Sequence, residues 1–204
     1  MIVGILLAAG GARRFRSQKL IAPFEGAAVV RHSARALASA VDDLVIVVGS
    51  EAGAVTSALG GLRARFVENP EWEKGLSTSL IAGIASLSAD VDAAVVTLGD
   101  QPRLDPAVIR AAVAAWREAA GTIAIVSASY RGVRAHPVVF AREVFPELLA
   151  LEGDAGARLL IERMPTRVAY VEVDAPIPGD VDTPDDLDRL QKVRSAEDDS
   201  DRKL

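Results

Sequence analysis

The sequence contains no cysteine, and that absence removes a disulfide framework, a thiolate zinc site, an iron–sulfur cluster and a cysteine nucleophile at once. Two histidines are too few for an all-histidine metal centre. Aromatic residues are scarce: two Trp, two Tyr and five Phe in 204 positions. A base-stacking surface needs more of them, so no nucleic-acid partner is expected. No apolar run reaches the roughly 20 residues that cross a bilayer. The opening stretch Met1–Gly10 is apolar, but it lacks a basic flank and runs into a glycine turn. It reads as a buried strand rather than an export signal, so a cytoplasmic address without a membrane partner is expected.

What is present is a core-forming chain. Half of the residues are hydrophobic and a quarter charged, which predicts one folded domain over residues 1–193. Residues 194–204, rich in Asp, Ser and Glu, predict a disordered polar tail. The net charge of −5 is uneven: residues 1–40 hold six cations against Glu25 alone, so this segment is +5 and the remainder −10. A basic front on an acidic protein fits a local polyanion site, such as one for phosphates, or a solvated basic face.

Short aliphatic runs alternate with Ala/Leu-rich segments of helical period, and no internal repeat is visible. This predicts βα units around a mainly parallel sheet, an α/β fold. Strands are expected at Ile2–Leu7, Leu44–Val48, Ala64–Val67, Ala93–Leu98, Ile123–Ser127 and Arg167–Val173. Helices are expected near Ala28–Ala40, Gly53–Leu59, Ser77–Leu87, Pro106–Ala119, Arg142–Ala150, Ala155–Arg163 and Pro184–Val193. Asp105-Pro106 and Thr183-Pro184 carry an N-cap residue followed by proline. Gly132 and His136-Pro137 interrupt the alternation, predicting a hairpin or loop between Tyr130 and Phe140 that leaves the main sheet, a place for a substrate lid.

Several segments carry residue types suited to phosphate chemistry. The first strand delivers Leu7-Ala8-Ala9-Gly10-Gly11, then Arg13, Arg14 and Lys19. Small residues let backbone amides approach an anion, and Arg14 and Lys19 reach the same charge; an ordinary tight turn is the alternative. Lys19 follows Gln18 and precedes Leu20, so this is not a Walker A loop, and no G-x-G-x-x-G follows the strand. Gly99-Asp100-Gln101-Pro102 puts a carboxylate at the end of a buried strand, where it either caps the next turn or holds a hard cation. Around Asp180-Val181-Asp182-Thr183-Pro184, Asp185 and Asp186 suit the first turn of a helix, leaving Asp180 and Asp182 as metal candidates. Gly75 and Ser79 lie at a helix N-terminus, suited to an anion or a base edge. His136 reads as a structural or substrate-contact residue, because no second ligand accompanies it. Gly153-Asp154 before Gly156-Ala157-Arg158 reads as a turn with Asp154 as N-cap.

Taken in order over about 190 residues, these segments resemble the MobA-like nucleotidyltransferases that mature the molybdenum cofactor, especially the cytidylyltransferase branch. The matching residues are Leu7-Ala8-Ala9-Gly10 with Arg14, Phe15 and Lys19; Asn69-Pro70 with Trp72, Gly75 and Ser79; Gly99-Asp100-Gln101-Pro102; His136-Pro137 with Phe140; Gly153-Asp154 with Arg158; and Asp180-Val181-Asp182-Thr183-Pro184. Ala12 replaces the family's usual Ser, and Arg16 its usual Gly.

The resemblance implies a Rossmann-like three-layer nucleotidyltransferase fold. It further implies transfer of CMP from CTP to a phosphorylated acceptor, a molybdopterin-type cofactor, with release of pyrophosphate. In that scheme Leu7, Ala8, Ala9, Gly10 and Gly11 cradle the nucleotide and Arg14 and Lys19 neutralise phosphate charge. Asp100 and Asp182 hold Mg2+, Gly75 and Ser79 face base or ribose, and His136, Asp154 and Arg158 lie on the acceptor side. The family's guanylyltransferases carry Leu-Ala-Gly-Gly where this chain has Leu7-Ala8-Ala9-Gly10, hence the expectation of CTP. A GTP-dependent enzyme, a transferase for another phosphorylated acceptor and an inactive nucleotide-binding regulator are the alternatives.

Overall fold

The computed structural model describes residues 1–11, 15, 18–152 and 157–201, with backbone alone from 193 onward. In chain order the elements are β1 (Ile2–Ala8), β2 (Pro23–Phe24), β3 (Ala27–Ala28), α1 (Val29–Ala38), β4 (Asp43–Val48), α2 (Ala52–Ala58), β5 (Arg65–Glu68), α3 (Leu76–Ala85) and β6 (Ala93–Leu98). The second half adds α4 (Pro106–Glu118), β7 (Ile125–Tyr130), β8 (Val133–Ala141), α5 (Phe145–Leu149), α6 (Arg158–Arg163), β9 (Val168–Val173) and α7 (Pro184–Asp201). A seven-stranded sheet runs β5-β4-β1-β6-β8-β7-β9, and β2 and β3 form a separate small hairpin. Every sheet pairing is parallel except the two made by β8. This is the expected Rossmann-like α/β architecture.

All seven residues of β1 are buried, because helices cover both faces of the sheet. Ile2 and Leu6 pack with Val30, Leu37, Leu59 and Ile109 of the α1, α2 and α4 layer or its borders. Val3, Ile5 and Leu7 point the other way, toward Leu80 and Ile84 of α3 and Leu148 of α5. Two glycines permit this closeness. A Cβ on Gly4 would stand 2.7 Å from Leu37 Cγ, and one on Gly83 2.7 Å from Ile5 Cγ2. Asp105 caps α4 as expected, its carboxylate accepting from Ala107 N at 2.7 Å.

The segment expected to leave the sheet enters its middle instead. β8 lies antiparallel between β6 and β7, joined to β7 by a tight turn at Arg131 and Gly132, both at positive φ. The buried run Val138-Val139-Phe140-Ala141 supplies the reason, since its apolar side chains gain more from the core than from a surface loop. Proline is accommodated by a bulge: Ser127 pairs with Val138 and Ala128 with Ala135, so His136 and Pro137 are skipped in the ladder. The expected helix at Arg142–Ala150 is split into a 3₁₀ turn, Arg142–Val144, and α5. At the C-terminus α7 begins at Pro184, directly after Thr183, as the Thr183-Pro184 pair predicts.

Candidate active site

The chain leaves β1 toward β4 on one side and returns through β6 on the other, so a crevice opens beyond their carboxyl ends. Three loops meet there. Ser50 N donates to Ala9 O at 3.0 Å, tying the loop after β4 to the one after β1, and Gly99 N donates to Leu7 O at 2.9 Å, tying the loop after β6 to the end of β1 itself. Ala8 and Ala9 are buried, whereas Gly10 is exposed and its missing Cβ would meet nothing.

A cavity of about 270 Å³ sits under this loop, lined among others by Leu7, Ala9, Gly11, Trp72, Gly75 and Ser79. Trp72 forms one wall so tightly that a Cβ on Gly11 would stand 2.7 Å from the indole ring. Asn69, 3% exposed, positions Ser79 in the lining: its Nδ2 donates to Thr78 Oγ1 and Ser79 Oγ, both at 2.9 Å, while its Oδ1 accepts from Glu71 N. With its oxygen accepting from Asn69, Ser79 retains its O–H as a donor.

The second feature is charged. Lys19 Nζ donates to Asp100 Oδ2 and to Asp182 Oδ1, each at 2.7 Å. Burial works to lower the Lys19 pKa, but the charges and hydrogen bonds of Asp100 and Asp182 outweigh it and hold the ammonium above its ordinary value. Val181 explains why two aspartates from a distant segment arrive here. It is fully buried beside Phe24, Val29 and Leu190, and its N–H donates to Asp100 O at 2.9 Å. Asp182 meets Lys19, and Asp180 Oδ1 accepts from Gln101 Nε2 at 2.8 Å. What burial Asp180 undergoes pushes its pKa up; the Gln101 bond opposes this, and the charges of Asp100 and Asp182 add to it.

Asp186 has a structural role. It accepts from Thr183 N at 2.9 Å and Thr183 Oγ1 at 2.8 Å, while Asp186 N donates back to Thr183 Oγ1, a reciprocal cap that starts α7.

Asp100 Oδ1 is buried without a hydrogen-bond partner. An all-carboxylate donor set with one oxygen uncommitted suits a hard divalent cation. Among the described residues, however, no three His, Asp or Glu side chains are already gathered around one point. The ammonium of Lys19 lies between Asp100 and Asp182.

A larger cavity of about 450 Å³ adjoins the first, sharing Leu7 and Leu76 with it. Its walls include Leu80, Val96 and Phe140, and its polar groups include Gln101, His136 and Asp180. His136 projects from the bulge in β8, with Nδ1 3.3 Å from Val96 O. A carbonyl only accepts, so Nδ1 carries the proton and Nε2 is left as an acceptor. Burial lowers the His136 pKa, against the opposing effects of the Val96 carbonyl and the Asp100 charge. Ser127 Oγ donates to Ala135 O at 3.1 Å and fastens the bulge. Arg158 lines this cavity from its rim, its side chain 77% exposed and 3.6 Å from Glu162.

The fold thus brings Leu7, Ala9, Gly10, Gly11, Gly75 and Ser79 to one cavity, Lys19, Asp100 and Asp182 to one ion cluster, and His136 and Arg158 to the second cavity. Arg14 and Asp154, like Ala12 and Arg16, lie outside the described residues. Asn69 and Gln101 organise the site but have no role assigned from sequence. Their signal was position, one after β5 and one beside Asp100. No helix among the described residues is long and apolar enough to cross a membrane.

The sequence profile of the MobA-like NTP transferase domain matches residues 4–168. Nicotine blue oxidoreductase from Paenarthrobacter nicotinovorans is 30% identical over 93% of this chain and 96% of its own. Rv0371c from Mycobacterium tuberculosis superposes with a TM-score of 0.83 at 31% identity, covering 94% of this chain and 97% of that one. The same protein in complex with manganese gives a TM-score of 0.78 at 30% identity over 94% and 98%. A nucleotidyl transferase from Methanothermobacter gives 0.81 at 25% identity over 96% and 99%. The chain belongs to the MobA-like NTP transferase family.

Proposed function

We propose that this protein transfers CMP from CTP to a phosphorylated small-molecule acceptor, a molybdopterin-type cofactor, with release of pyrophosphate. The observation that carries the reading is the Lys19–Asp100–Asp182 cluster, whose sequence neighbours Gln101 and Asp180 line the larger, apolar cavity, which in turn shares Leu7 and Leu76 with the small one under the glycine loop. The small cavity takes the nucleoside, with Ser79 donating to the base or ribose. The large one takes the acceptor, against His136 and the Arg158 rim.

An oxygen of the acceptor's phosphate monoester attacks the α-phosphorus of CTP, the bond to the αβ-bridging oxygen breaks, and that oxygen leaves on pyrophosphate. The monoester is already ionised near neutral pH, so no histidine or cysteine base is needed. The chain's task is positioning and charge neutralisation. Lys19, with Arg14 as a second cation, meets the phosphate charge. Asp100 and Asp182 would hold a divalent cation, Mg2+ in this proposal, which supplies charge neutralisation at phosphate oxygens when bound. The manganese complex of Rv0371c supports a divalent cation.

The preference for CTP rests on Ala9, which lines the small cavity and is 2% exposed. Its methyl takes room that a purine would use.

A second reading follows from one relative's name. Nicotine blue oxidoreductase matches along nearly its whole length, and a redox activity here would use the apolar 450 Å³ cavity for a ring system. Pyrophosphate release separates the two. The full chain with Mg2+, molybdopterin-type acceptor and each NTP in turn is expected to release pyrophosphate with CTP. Absence of pyrophosphate with every NTP, alongside oxidation or reduction of a dye, would favour the second reading.

A further inference from the structure

We infer that Lys19 is a built-in counter-ion that holds the cation position between Asp100 and Asp182 until a nucleotide draws it away, so that divalent cation and nucleotide bind cooperatively. This rests on the reading of those two carboxylates as the cation's ligands. Lys19 Nζ stands 2.7 Å from an oxygen of each. A divalent cation bridging the same two oxygens needs about 2.0–2.6 Å to each, so it cannot share the position with an ammonium. Lys19 is also poorly hydrated here, its side chain being 12% exposed, and it is held by the carboxylates in place of water.

The ammonium therefore leaves only for another anion. The anion expected at this edge is the triphosphate, on the glycine loop eight residues before Lys19. The backbone around Lys19 is anchored: Gln18 Nε2 donates to Ser50 O at 3.1 Å, and Leu20 is 2% exposed. The flexible lysine stem is what moves. The exchange has a simple balance: one ammonium passes from two carboxylates to phosphate oxygens, and the carboxylates pass to the cation. The uncommitted Asp100 Oδ1 gives the incoming cation a further oxygen.

Electron paramagnetic resonance of free Mn2+ tests this on the full chain without acceptor or turnover. Without nucleotide, Lys19→Met is expected to bind Mn2+ about tenfold or more tightly than the wild type, because a competing charge is gone. Lys19→Arg, which keeps the charge, is expected to stay close to the wild type. Adding Asp182→Asn to Lys19→Met is expected to remove the gain. In the same preparations, CTP affinity without metal should fall in Lys19→Met. Mn2+ binding by Lys19→Met no tighter than by the wild type would overturn the inference, as would a gain that survives Asp182→Asn or appears equally in Lys19→Arg. A wild-type protein that takes up no Mn2+ even with CTP, beyond what CTP itself binds, would instead overturn the assignment of the carboxylates.

Discussion

Asp182 stands 163 residues beyond Lys19 in the chain, yet its Oδ1 is 2.7 Å from the lysine Nζ. The contact depends on Val181, whose buried side chain and bond to Asp100 O bring the acidic segment against the end of β6. Lys19 also reaches Asp100, so one ammonium joins three distant stretches of sequence at the edge of the sheet.

Asp100→Ala is expected to reduce CMP transfer by about 100-fold or more, the scale of losing a charge-stabilising group in a phosphoryl-transfer site. The change also takes one of two carboxylates from the largely buried Lys19 ammonium, so a modest fall in melting temperature should accompany the loss while the chain stays folded. Near-normal metal-dependent turnover would remove Asp100 from the site.

Asp182→Ala and Asp180→Ala should differ in kind. Asp182 bonds Lys19 and Asp180 bonds Gln101 at the large cavity, so the first should lower kcat and the second should raise KM for the acceptor. A large kcat loss in Asp180→Ala with a mild effect in Asp182→Ala would exchange their roles.

Gly11→Ala should both weaken nucleotide binding and destabilise the protein. A Cβ there would press to 2.7 Å from the Trp72 ring, and overpacking of this kind costs about 1–3 kcal/mol. Trp72→Leu should restore stability in the double variant. Additive rather than compensating losses in thermal melts would contradict the contact.

His136 should make stability pH-dependent. Its folded pKa is lowered below the ordinary 6.5, chiefly by burial, so below that pH the unfolded chain binds a proton that the folded chain resists. The contribution is complete above about pH 6.5 and is lost as pH falls from there toward the folded pKa. His136→Asn should flatten this part of the stability curve in denaturant titrations between pH 7 and 5. An unchanged slope would contradict it.

The sheet was largely legible because two-sided burial writes continuous aliphatic runs: β6 has the expected bounds, Ala93–Leu98, and β1 differs by one residue. The place of β8 was not. Gly132 and His136-Pro137 are loop signals in a local reading, and only the pairing of Val138–Phe140 with both neighbours shows that the strand absorbs them as a turn and a bulge. In the site, Asp100 and the Asp180-Val181-Asp182 alternation could be picked out as acidic candidates. Which aspartate meets Lys19 depends on long-range packing of Val181, and Gln101 gains its role only from that same packing.

The most direct measurement is product formation by the full chain with Mg2+ and molybdopterin-type acceptor, given CTP and GTP at equal concentration. The cytosine dinucleotide should predominate by about 10–200-fold, the range that one methyl group discriminates, with one pyrophosphate per product, and Ala9→Gly should narrow the margin. A predominance of the guanine dinucleotide would contradict the assigned base preference, and no dinucleotide with either would contradict CMP transfer itself.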